Sequence, residues 1–334
     1  MTVTELSKIR KILIIRLSSL GDILLTTPFI RSLKKREPKL SIDVLIKEEY
    51  ADALKLNNHL DNLYYFSKDE RLNNNLLESL KLNSYDFVID LQNNLRSRKI
   101  TKTLNKNTSR FYKHSFDKFI LVNFKISRLK SAETIPDRYA KTIEGFVLDN
   151  SSLDLFTDKF PDKTLAGKNN FIGFCPGARH FTKRWPKEYF IELGNKLSKE
   201  GFTILLFGGS IDKELCSEIS KNIYGSIDLS NENDLLKTVA DMKLCKTIVC
   251  NDSGLMHVAS AVNTNVVAIF GSTVREFGFT PYNCKNLILE NNSLTCRPCS
   301  HIGRNNCPKK HFNCMNSIKP EFVLKNILSF ITNE

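Results

Sequence analysis

The residues near the start of the chain that are best suited to chemistry lie in one short turn, Ser18-Ser19-Leu20-Gly21-Asp22. The turn follows an apolar, β-type run over residues 11–17 and leads into a helix-like segment. In parallel α/β sheets, ligands bind where strands end, and exposed helix N–H groups there attract negative charge. The turn therefore predicts an active site with one carboxylate, Asp22, and leaves its ligand open.

A second set of candidate ligand-binding residues follows the strands predicted in the second half of the chain. Because the carboxyl ends of parallel strands meet at one edge of a sheet, we expect these loops to form one site. Asp252 and Ser253 suit the capping of a helix, and Gly254 leaves backbone N–H groups accessible. The candidates are Lys183, Arg184, Asp212, Asp252, Ser253, Gly254, His257, Gly271, Ser272 and Thr273.

The usual nucleotide-binding motifs do not occur in the sequence. No Gly-x-Gly-x-x-Gly follows the first strand, which argues against a dehydrogenase. The sequence also lacks Gly-x4-Gly-Lys-Ser/Thr, the motif of P-loop NTPases. An Asp-x-Asp pair, which holds a divalent ion under a diphosphate, is also absent. These three kinds of site are therefore not expected.

Strand and helix signals alternate in both halves, which predicts an α/β fold with two Rossmann-like domains of parallel strands. Short connections favour right-handed crossovers and doubly wound sheets. The predicted strands are residues 11–17, 41–46, 63–66 and 86–91, then 171–174, 202–207, 226–229, 247–250 and 266–270. The predicted helices are residues 23–35, 49–56, 72–82, 186–199, 212–222, 233–244, 254–262 and 320–331.

A polar segment separates the two halves and marks a domain boundary. We assign an N-terminal domain to residues 1–160 and a C-terminal domain to residues 168–318. The last helix, within residues 319–334, is expected to pack back on the N-terminal domain.

Composition and charge indicate a globular protein with an anionic partner. The 334 residues are 41% hydrophobic and 25% charged, with a formal net charge of +13. Residues 96–141 contain thirteen Lys and Arg against three acidic residues, with aromatic residues between them. Candidate partners are nucleic acid, an anionic membrane surface or an acidic substrate. No apolar run could cross a bilayer and residues 1–11 lack a signal-peptide core, so a cytoplasmic location is expected.

Four of the nine cysteines form a cluster late in the chain: Cys296, Cys299, Cys307 and Cys314. One Cys-x-x-Cys followed by two further ligands could hold a structural zinc ion. The spacing is not that of two paired Cys-x-x-Cys knuckles, so free thiols or a labile disulfide stay as alternatives.

Several motifs in order resemble the lipopolysaccharide heptosyltransferases of glycosyltransferase family 9. They are Arg16-Leu-Ser-Ser-Leu-Gly-Asp22, Tyr85-Asp-Phe-Val-Ile-Asp-Leu-Gln-Asn-Asn-Leu-Arg-Ser97, Lys183-Arg-Trp-Pro186, Asn251-Asp-Ser-Gly-Leu-Met-His257 and Gly271-Ser-Thr273. The resemblance covers roughly residues 10–330. It implies a GT-B fold, in which two Rossmann-like domains face an interdomain cleft.

The resemblance also implies substrates and roles. The donor, ADP-heptose, is expected on the C-terminal domain, with Lys183 and Arg184 at its diphosphate and no cofactor required for catalysis. The acceptor, inner-core lipopolysaccharide, is expected on the N-terminal domain, with Asp22 as the general base of an inverting displacement and Asp90 in reserve. The expected acceptor-binding residues are Ser18, Ser19, Gly21, Gln92, Asn94, Arg96 and Arg98.

Two alternatives remain open. One keeps the fold and the chemistry but uses another nucleotide-activated sugar or a protein acceptor. The other is a nonenzymatic protein whose basic stretch binds nucleic acid, which the Asp22 and Lys183 loops disfavour because a simple binder does not need them. For the transferase, we expect peripheral contact with the cytoplasmic face of the inner membrane and no nucleic-acid partner.

Overall fold

Two parallel sheets form the framework of the protein. The computed structural model describes residues 1–129 and 133–332. The strands of the first sheet are β1 (Lys11–Ile15), β2 (Ser41–Lys47), β3 (Asn62–Phe66), β4 (Phe87–Asp90) and β5 (Thr108–Arg110). Those of the second are β6 (Phe171–Cys175), β7 (Thr203–Leu206), β8 (Ile227–Asp228), β9 (Cys245–Asn251), β10 (Asn265–Phe270) and β11 (Asn286–Glu290). The predicted α/β fold with two parallel sheets is confirmed.

Helices connect the strands. In the first half they are α1 (Val3–Leu6), α2 (Leu20–Leu24), α3 (Thr27–Arg36), α4 (Glu70–Leu82), α5 (Leu95–Leu104), α6 (Ser115–Phe124) and α7 (Ile135–Ala140). In the second half they are α8 (Lys187–Lys199), α9 (Lys213–Lys221), α10 (Leu235–Met242), α11 (Gly254–Ala261), α12 (Asn313–Asn316) and α13 (Pro320–Thr332). Short 3₁₀ helices lie at Glu48–Ala53, Lys163–Leu165, Phe181–Lys183, Ser210–Asp212 and Arg275–Phe277.

Each sheet has a topological switch point at the first strand of its half. The strand orders are β3-β2-β1-β4-β5 and β11-β10-β9-β6-β7-β8. β1 therefore lies between β2 and β4, and β6 lies between β7 and β9. Since the chain leaves these central strands in opposite directions, a crevice is expected at the carboxyl ends of β1 and β4, and of β6 and β9.

The central strands of both sheets are buried because they are largely apolar. In the first unit, Leu13, Leu45 and Val88 pack with Ile100 from α5. In the second, Phe174 packs beside Phe190 of α8, with ring centroids 5.4 Å apart. Such runs are typical of parallel sheets covered on both faces by helices.

The chain divides into two compact units, which differ in part from the predicted domains. The first comprises Met1–His114 and Glu133–Phe156, and the second comprises the described residues of Ser115–Ala132 and Thr157–Glu334. The observed boundary therefore follows Phe156, and a segment that includes α6 belongs to the second unit. The prediction that a first domain runs without interruption over residues 1–160 is wrong.

The last helix also differs from its prediction. Val323 and Ile327 of α13 are fully buried in the core of the second unit. Their spacing of four residues places them on one face of the helix, and this face packs among the apolar residues of the same unit as α8. The prediction that residues 319–334 pack back on the N-terminal domain is therefore wrong for the residues that are described.

One predicted helix is divided in two. Residues 23–35 form the end of α2 and most of α3, with a break at Leu25 and Thr26. Pro28 lacks the N–H group that would bond to the carbonyl of Leu24, and the hydroxyl of Thr27 donates to that oxygen instead at 2.7 Å. Three helices in residues 95–140 and the strands β5 and β11 were not predicted. No described helix has the length and apolar character needed to span a bilayer.

Candidate active site

The candidate general base, Asp22, lies at the switch point of the first sheet. It is in the first turn of α2, directly after β1 and its loop. Its Oδ2 atom accepts hydrogen bonds from the backbone N–H of Ser19 at 3.0 Å and from the Ser19 hydroxyl at 2.8 Å. Its side chain is 18% exposed, so the carboxylate is held in one orientation and still reaches solvent.

Arg16 pairs with the other oxygen of this carboxylate and is itself buried. Arg16 Nη2 forms an ion pair with Asp22 Oδ1, and Arg16 Nη1 donates to the carbonyl of Leu91 at 2.6 Å. The guanidinium also lies 5.7 Å from the centroid of the Tyr139 ring. Arg16 thus joins the turn after β1 to the end of β4 and positions the candidate base.

Lys113 is a further cation near Asp22 that sequence reasoning did not single out. Burial, and then repulsion by Arg16, lowers the pKa of Lys113, whereas Asp90 and Asp22 act in the opposite direction. In the sequence, Lys113 is one of many basic residues in the stretch 96–141. Nothing in the local sequence distinguishes it from its neighbours, so only the stretch as a whole was noted. The first unit therefore contains a second cation whose charge interacts with Asp22 and Asp90.

Asp90, the reserve candidate for the base, has a structural role. It is fully buried. Its carboxylate accepts hydrogen bonds from the backbone N–H groups of Gln92 and Asn93 at 3.1 and 2.7 Å, and from the Ser97 hydroxyl at 2.9 Å. These bonds shape the loop between β4 and α5, so Asp90 does not suit proton transfer with a substrate.

The predicted acceptor-binding residues fall into two groups. Gln92 Oε1 accepts a hydrogen bond from the backbone N–H of Ser18 at 3.1 Å, which joins the two loops at the switch point. Ser18, Ser19, Gly21 and Gln92 therefore lie together around Asp22. Asn94 caps α5 by accepting from the backbone N–H of Ser97 at 2.9 Å.

Arg96 and Arg98 are not brought together. Arg96 lies over the ring of Phe66, 5.5 Å from its centroid, and lines a concavity next to the end of β3. Arg98 donates to Asn93 Oδ1 at 3.0 Å and lines a different concavity along α5. The two side chains are two residues apart on a helix, where neighbours do not share a face.

In the second unit, a lysine, a carboxylate and a hydroxyl meet at the switch point of the sheet. Lys183 Nζ lies 2.7 Å from Asp252 Oδ2, and the Thr273 hydroxyl donates to the same oxygen at 2.6 Å. Lys183 follows β6, Asp252 follows β9 and Thr273 follows β10. Three of the four predicted loops therefore converge in the manner expected.

Two buried hydroxyls next to this cluster have no hydrogen-bond partner among the described residues: the Oγ atoms of Ser253 and Ser272. Ser253 is the N-cap residue of α11, as predicted, but its side chain makes no capping hydrogen bond. The carboxylate of Asp252 is paired with Lys183 instead. Buried hydroxyls are normally satisfied, so this pair is suited to a ligand that supplies acceptors.

Arg184 and Asp212 form the flank of the cluster. Arg184 Nε donates to the carbonyl of Ala178 at 2.7 Å, which fixes the guanidinium over the loop after β6. Burial raises the pKa of Asp212, and Arg184 acts in the opposite direction. A Cβ atom on Gly177 would come within 2.3 Å of the Asp212 carboxyl, so only glycine allows this approach.

The remaining predicted donor-site residues border the same cluster. Gly254 begins α11, and His257 lies buried one turn later. A Cβ atom on Gly271 would lie 2.9 Å from the carbonyl of Thr182, which explains the small residue at this contact. Ser272 donates from its backbone N–H to the same carbonyl at 3.3 Å. The loops after β6 and β10 are therefore in direct contact.

Two positioning residues were missed because their partners are distant in sequence. Asn251, fully buried, accepts from the backbone N–H of Trp185 at 3.0 Å and donates to the carbonyl of Pro176 at 2.7 Å. Arg297, also buried, donates to the carbonyls of Gly271 at 2.5 Å and Thr273 at 2.8 Å. Asn251 belongs to the motif Asn251–His257, but its own role was not predicted. No sequence pattern around Arg297 indicates its role.

A structural zinc ion at the four clustered cysteines stays a prediction. Across residues 1–129 and 133–332, the structure has no group of three or more His, Cys, Asp and Glu side chains arranged as a metal site. All four thiols are free. Cys314 lies buried in the core of the second unit, and burial raises the pKa of its thiol to about 11. The segment that carries these cysteines also carries Arg297, which donates hydrogen bonds to the loop after β10.

Comparisons with known proteins identify the family to which this chain is similar. The family model described as glycosyltransferase family 9 (heptosyltransferase) matches residues 74–310. Lipopolysaccharide heptosyltransferase 2 of Salmonella typhimurium is 39% identical over 122 residues, which cover 35% of each chain. The aligned part thus spans about a third of that relative's length. Lipooligosaccharide heptosyltransferase 2 of Haemophilus influenzae is 27% identical over 302 residues, covering 80% of this chain and 84% of the relative.

A solved structure shares the fold. It is the ADP-heptose lipopolysaccharide heptosyltransferase II of E. coli, which superimposes with a TM-score of 0.73 at 24% identity. The superposition covers 97% of this chain and 99% of that one. The likeness therefore extends to both sheets and their order of connection.

Proposed function

This chain belongs to glycosyltransferase family 9 (heptosyltransferase), and from that premise we propose that it is an inverting glycosyltransferase. Its proposed donor is ADP-heptose and its proposed acceptor is the inner core of lipopolysaccharide. One observation carries the proposal: each unit places a cluster of charged side chains at the switch point of its sheet. The first contains the carboxylate of Asp22, and the second contains the ammonium of Lys183.

The second unit is suited to the donor. A nucleoside diphosphate is an anion, and Lys183 supplies a cation that is held in place by Asp252. The unpaired hydroxyls of Ser253 and Ser272 supply donors, and the start of α11 adds backbone N–H groups. Charge develops on the diphosphate as it leaves, so donors aimed at this point stabilise the transition state more than the ground state. We propose no cofactor for this step.

The first unit is suited to activate the acceptor. A sugar hydroxyl is barely acidic, so a base must take its proton as the new bond forms. We propose that Asp22 takes that proton, that the acceptor oxygen bonds to the anomeric carbon, and that the bond from this carbon to the diphosphate oxygen breaks. ADP leaves with the electron pair, and a single displacement inverts the anomeric configuration. Arg16 and Ser19 hold the carboxylate in place during this step.

We also propose that the protein works at the cytoplasmic face of the inner membrane, where its acceptor is presented. Support comes from exposed side chains of α6 and of the segment directly after it, which contains Ile126 and Arg128. Phe116, Phe119, Phe124 and Ile126 are each more than half exposed. The guanidinium of Arg128 lies 5.9 Å from the Phe116 ring centroid, so cationic and aromatic groups share this surface. Aromatic and basic side chains together are typical of interfacial membrane contacts.

A donor and acceptor panel tests the proposed reaction. Purified protein is incubated with ADP-heptose, other ADP-, UDP- and GDP-sugars, and either heptose-deficient lipopolysaccharide core or a protein acceptor, and nucleotide release is measured. We expect ADP release only with ADP-heptose and the lipopolysaccharide core. A stronger preference for another sugar or for a protein acceptor would establish the same-fold alternative. Binding of duplex or single-stranded nucleic acid without sugar transfer would establish the nonenzymatic one.

A further inference from the structure

A groove runs along the outer edge of the first sheet, between α5 and β5. Its volume is about 710 Å³, within the range of small-molecule sites. The lining residues come from the later part of α5, from the turn after it and from β5. β5 is an edge strand, so the groove lies at the side of the sheet, away from the buried core.

Four cations line this groove: Arg98, Lys102, Lys106 and Arg110. The lining contains no carboxylate, and among the described residues none of the four forms an ion pair. Arg98 and Lys102 are four residues apart on α5, where like charges repel. Since this arrangement does not stabilise the fold, its charge is available for an anionic ligand.

Two of the cations are held by neutral partners. Arg98 Nε donates to Asn93 Oδ1 at 3.0 Å, and Arg110 Nη2 donates to the hydroxyl of the buried Thr101 at 3.1 Å. Each guanidinium has five N–H donors, so these bonds fix its orientation and leave donors for a ligand. A fixed guanidinium matches a phosphate or carboxylate group through two parallel hydrogen bonds.

The groove favours an anionic saccharide over a nucleic acid. Proteins that bind single-stranded nucleic acid combine a basic groove with aromatic side chains on which the bases stack. No aromatic side chain is among the described residues that line this groove. Its polar lining, which includes Asn105 and Thr108, offers hydrogen bonds to sugar hydroxyls instead.

We propose that this groove binds phosphate or carboxylate groups of the saccharide acceptor that are remote from the reacting hydroxyl. The inference rests on the proposed function for the identity of the acceptor. Asn93, the partner of Arg98, lies in the loop after β4, the strand next to the one that precedes Asp22. The Arg98 end of the groove therefore contacts the loop after β4, and Gln92 of that loop is hydrogen-bonded to Ser18, in the loop that leads to Asp22. Remote binding of this kind positions the substrate for the reaction.

The double variant Lys102→Gln/Lys106→Gln tests the groove, with Lys99→Gln as its control. Lys99 is an exposed lysine of the same helix that does not line the groove. Calorimetry measures binding of the delipidated phosphorylated core oligosaccharide, of the same oligosaccharide after phosphatase treatment, and of a 12-nucleotide RNA. Steady-state transfer to the two oligosaccharides is measured in parallel.

We expect the wild type and Lys99→Gln to bind the phosphorylated oligosaccharide at least tenfold more tightly than the dephosphorylated one. The double variant should lose this difference, and its KM for the phosphorylated acceptor should rise at least tenfold with kcat unchanged. Equal binding of the two oligosaccharides by the wild type, or tighter binding of the RNA, would overturn the proposal. If the binding difference is found but the wild type transfers no sugar, the groove stands and the proposed reaction fails.

Discussion

At the scale of single residues, Lys183 is the cation on which the proposed donor site depends. The variant Lys183→Gln removes the charge and leaves the buried Asp252 without its ion-pair partner. Because removal of one transition-state donor typically costs about 10²–10³ in rate, we expect kcat/KM to fall by that factor. ADP affinity, measured by calorimetry, should fall at least tenfold. Lys187→Gln, at a partly exposed lysine paired with Glu218, is the control and should change neither value more than twofold.

Lys113 provides a prediction about pH. Burial and the nearby Arg16 lower the pKa of Lys113 from its ordinary value of 10.5, so its positive charge is lost at a lower pH than that of an exposed lysine. If this charge supports the Asp22 site, transfer activity declines on the alkaline side as Lys113 loses its proton. Lys113→Arg keeps the charge at all working pH values, so the alkaline decline of kcat/KM should move to higher pH. Identical profiles for the two proteins would contradict this role.

Some site residues could be predicted from the sequence and others could not. Asp22 and Asp252 were found because each lies where the chain passes from an apolar strand into a helix, and parallel sheets bind ligands there. Lys113 and Arg297 were not found, since their roles depend on contacts with residues distant in the sequence. The zinc site stays a prediction, and cysteine spacing alone does not reveal that Cys314 is buried in a core.

At the scale of elements, the segment that carries Arg297 supports the loop after β10. Arg297→Met removes the hydrogen bonds to Gly271 and Thr273, and the ion pair of 2.8 Å with Glu290. Glu290 keeps its ion pair with Arg275, so we expect a loss in the free energy of unfolding of about 1–3 kcal/mol in a denaturant titration, from the carbonyl groups left without a donor. ADP affinity should fall as well, because Thr273 bonds to Asp252.

The matched control for Arg297 is Arg304→Met. Arg304 is an exposed arginine of the same segment, whose side chain donates to the carbonyl of Cys299 at 2.9 Å. Loss of such an exposed contact should cost less than about 1 kcal/mol and leave ADP affinity unchanged. Equal effects of the two substitutions would show that Arg297 has no special role in holding the loop.

The elements themselves were predictable where their patterns were strong. β1, β6 and β9 are apolar runs between turn residues, and their positions were found to within a few residues. β5 was missed because Thr108–Arg110 is polar and only three residues long, so it resembles a loop. No local pattern indicates that α6 belongs to the second unit, because that assignment depends on which core its apolar residues join.

At the scale of the whole molecule, the exposed aromatic residues around α6 predict binding to anionic membranes. The variant Phe116→Ser/Phe119→Ser removes two large exposed side chains, and little stability should be lost. We expect the wild type to sediment with vesicles of phosphatidylglycerol and phosphatidylethanolamine but not with phosphatidylcholine vesicles. The variant should bind the anionic vesicles at least fivefold more weakly. Phe160→Ser, at another highly exposed phenylalanine, is the control, and an equal loss in this variant would contradict the assignment.

Both units have the same strand arrangement. In each sheet the first strand of that half, β1 or β6, lies in the interior, and later strands are added on both sides of it. This arrangement was predictable from the alternation of strands and helices. The boundary between the units was not, since the chain joins the second unit at Ser115 and returns to the first before Phe156. Predictions from a linear sequence place one boundary where composition changes, and they do not detect such an excursion.

The most direct test of the account concerns Asp22 as the general base. The variant Asp22→Asn keeps an oxygen that can accept from Ser19 and removes the ability to take a proton. General base catalysis contributes about 10²–10⁴ in rate, so heptose transfer should fall at least a hundredfold. Donor binding, measured by calorimetry with ADP-heptose, should stay within twofold of the wild type. Transfer within a few fold of the wild type would contradict the central claim, as would a loss of rate matched by a loss of donor affinity.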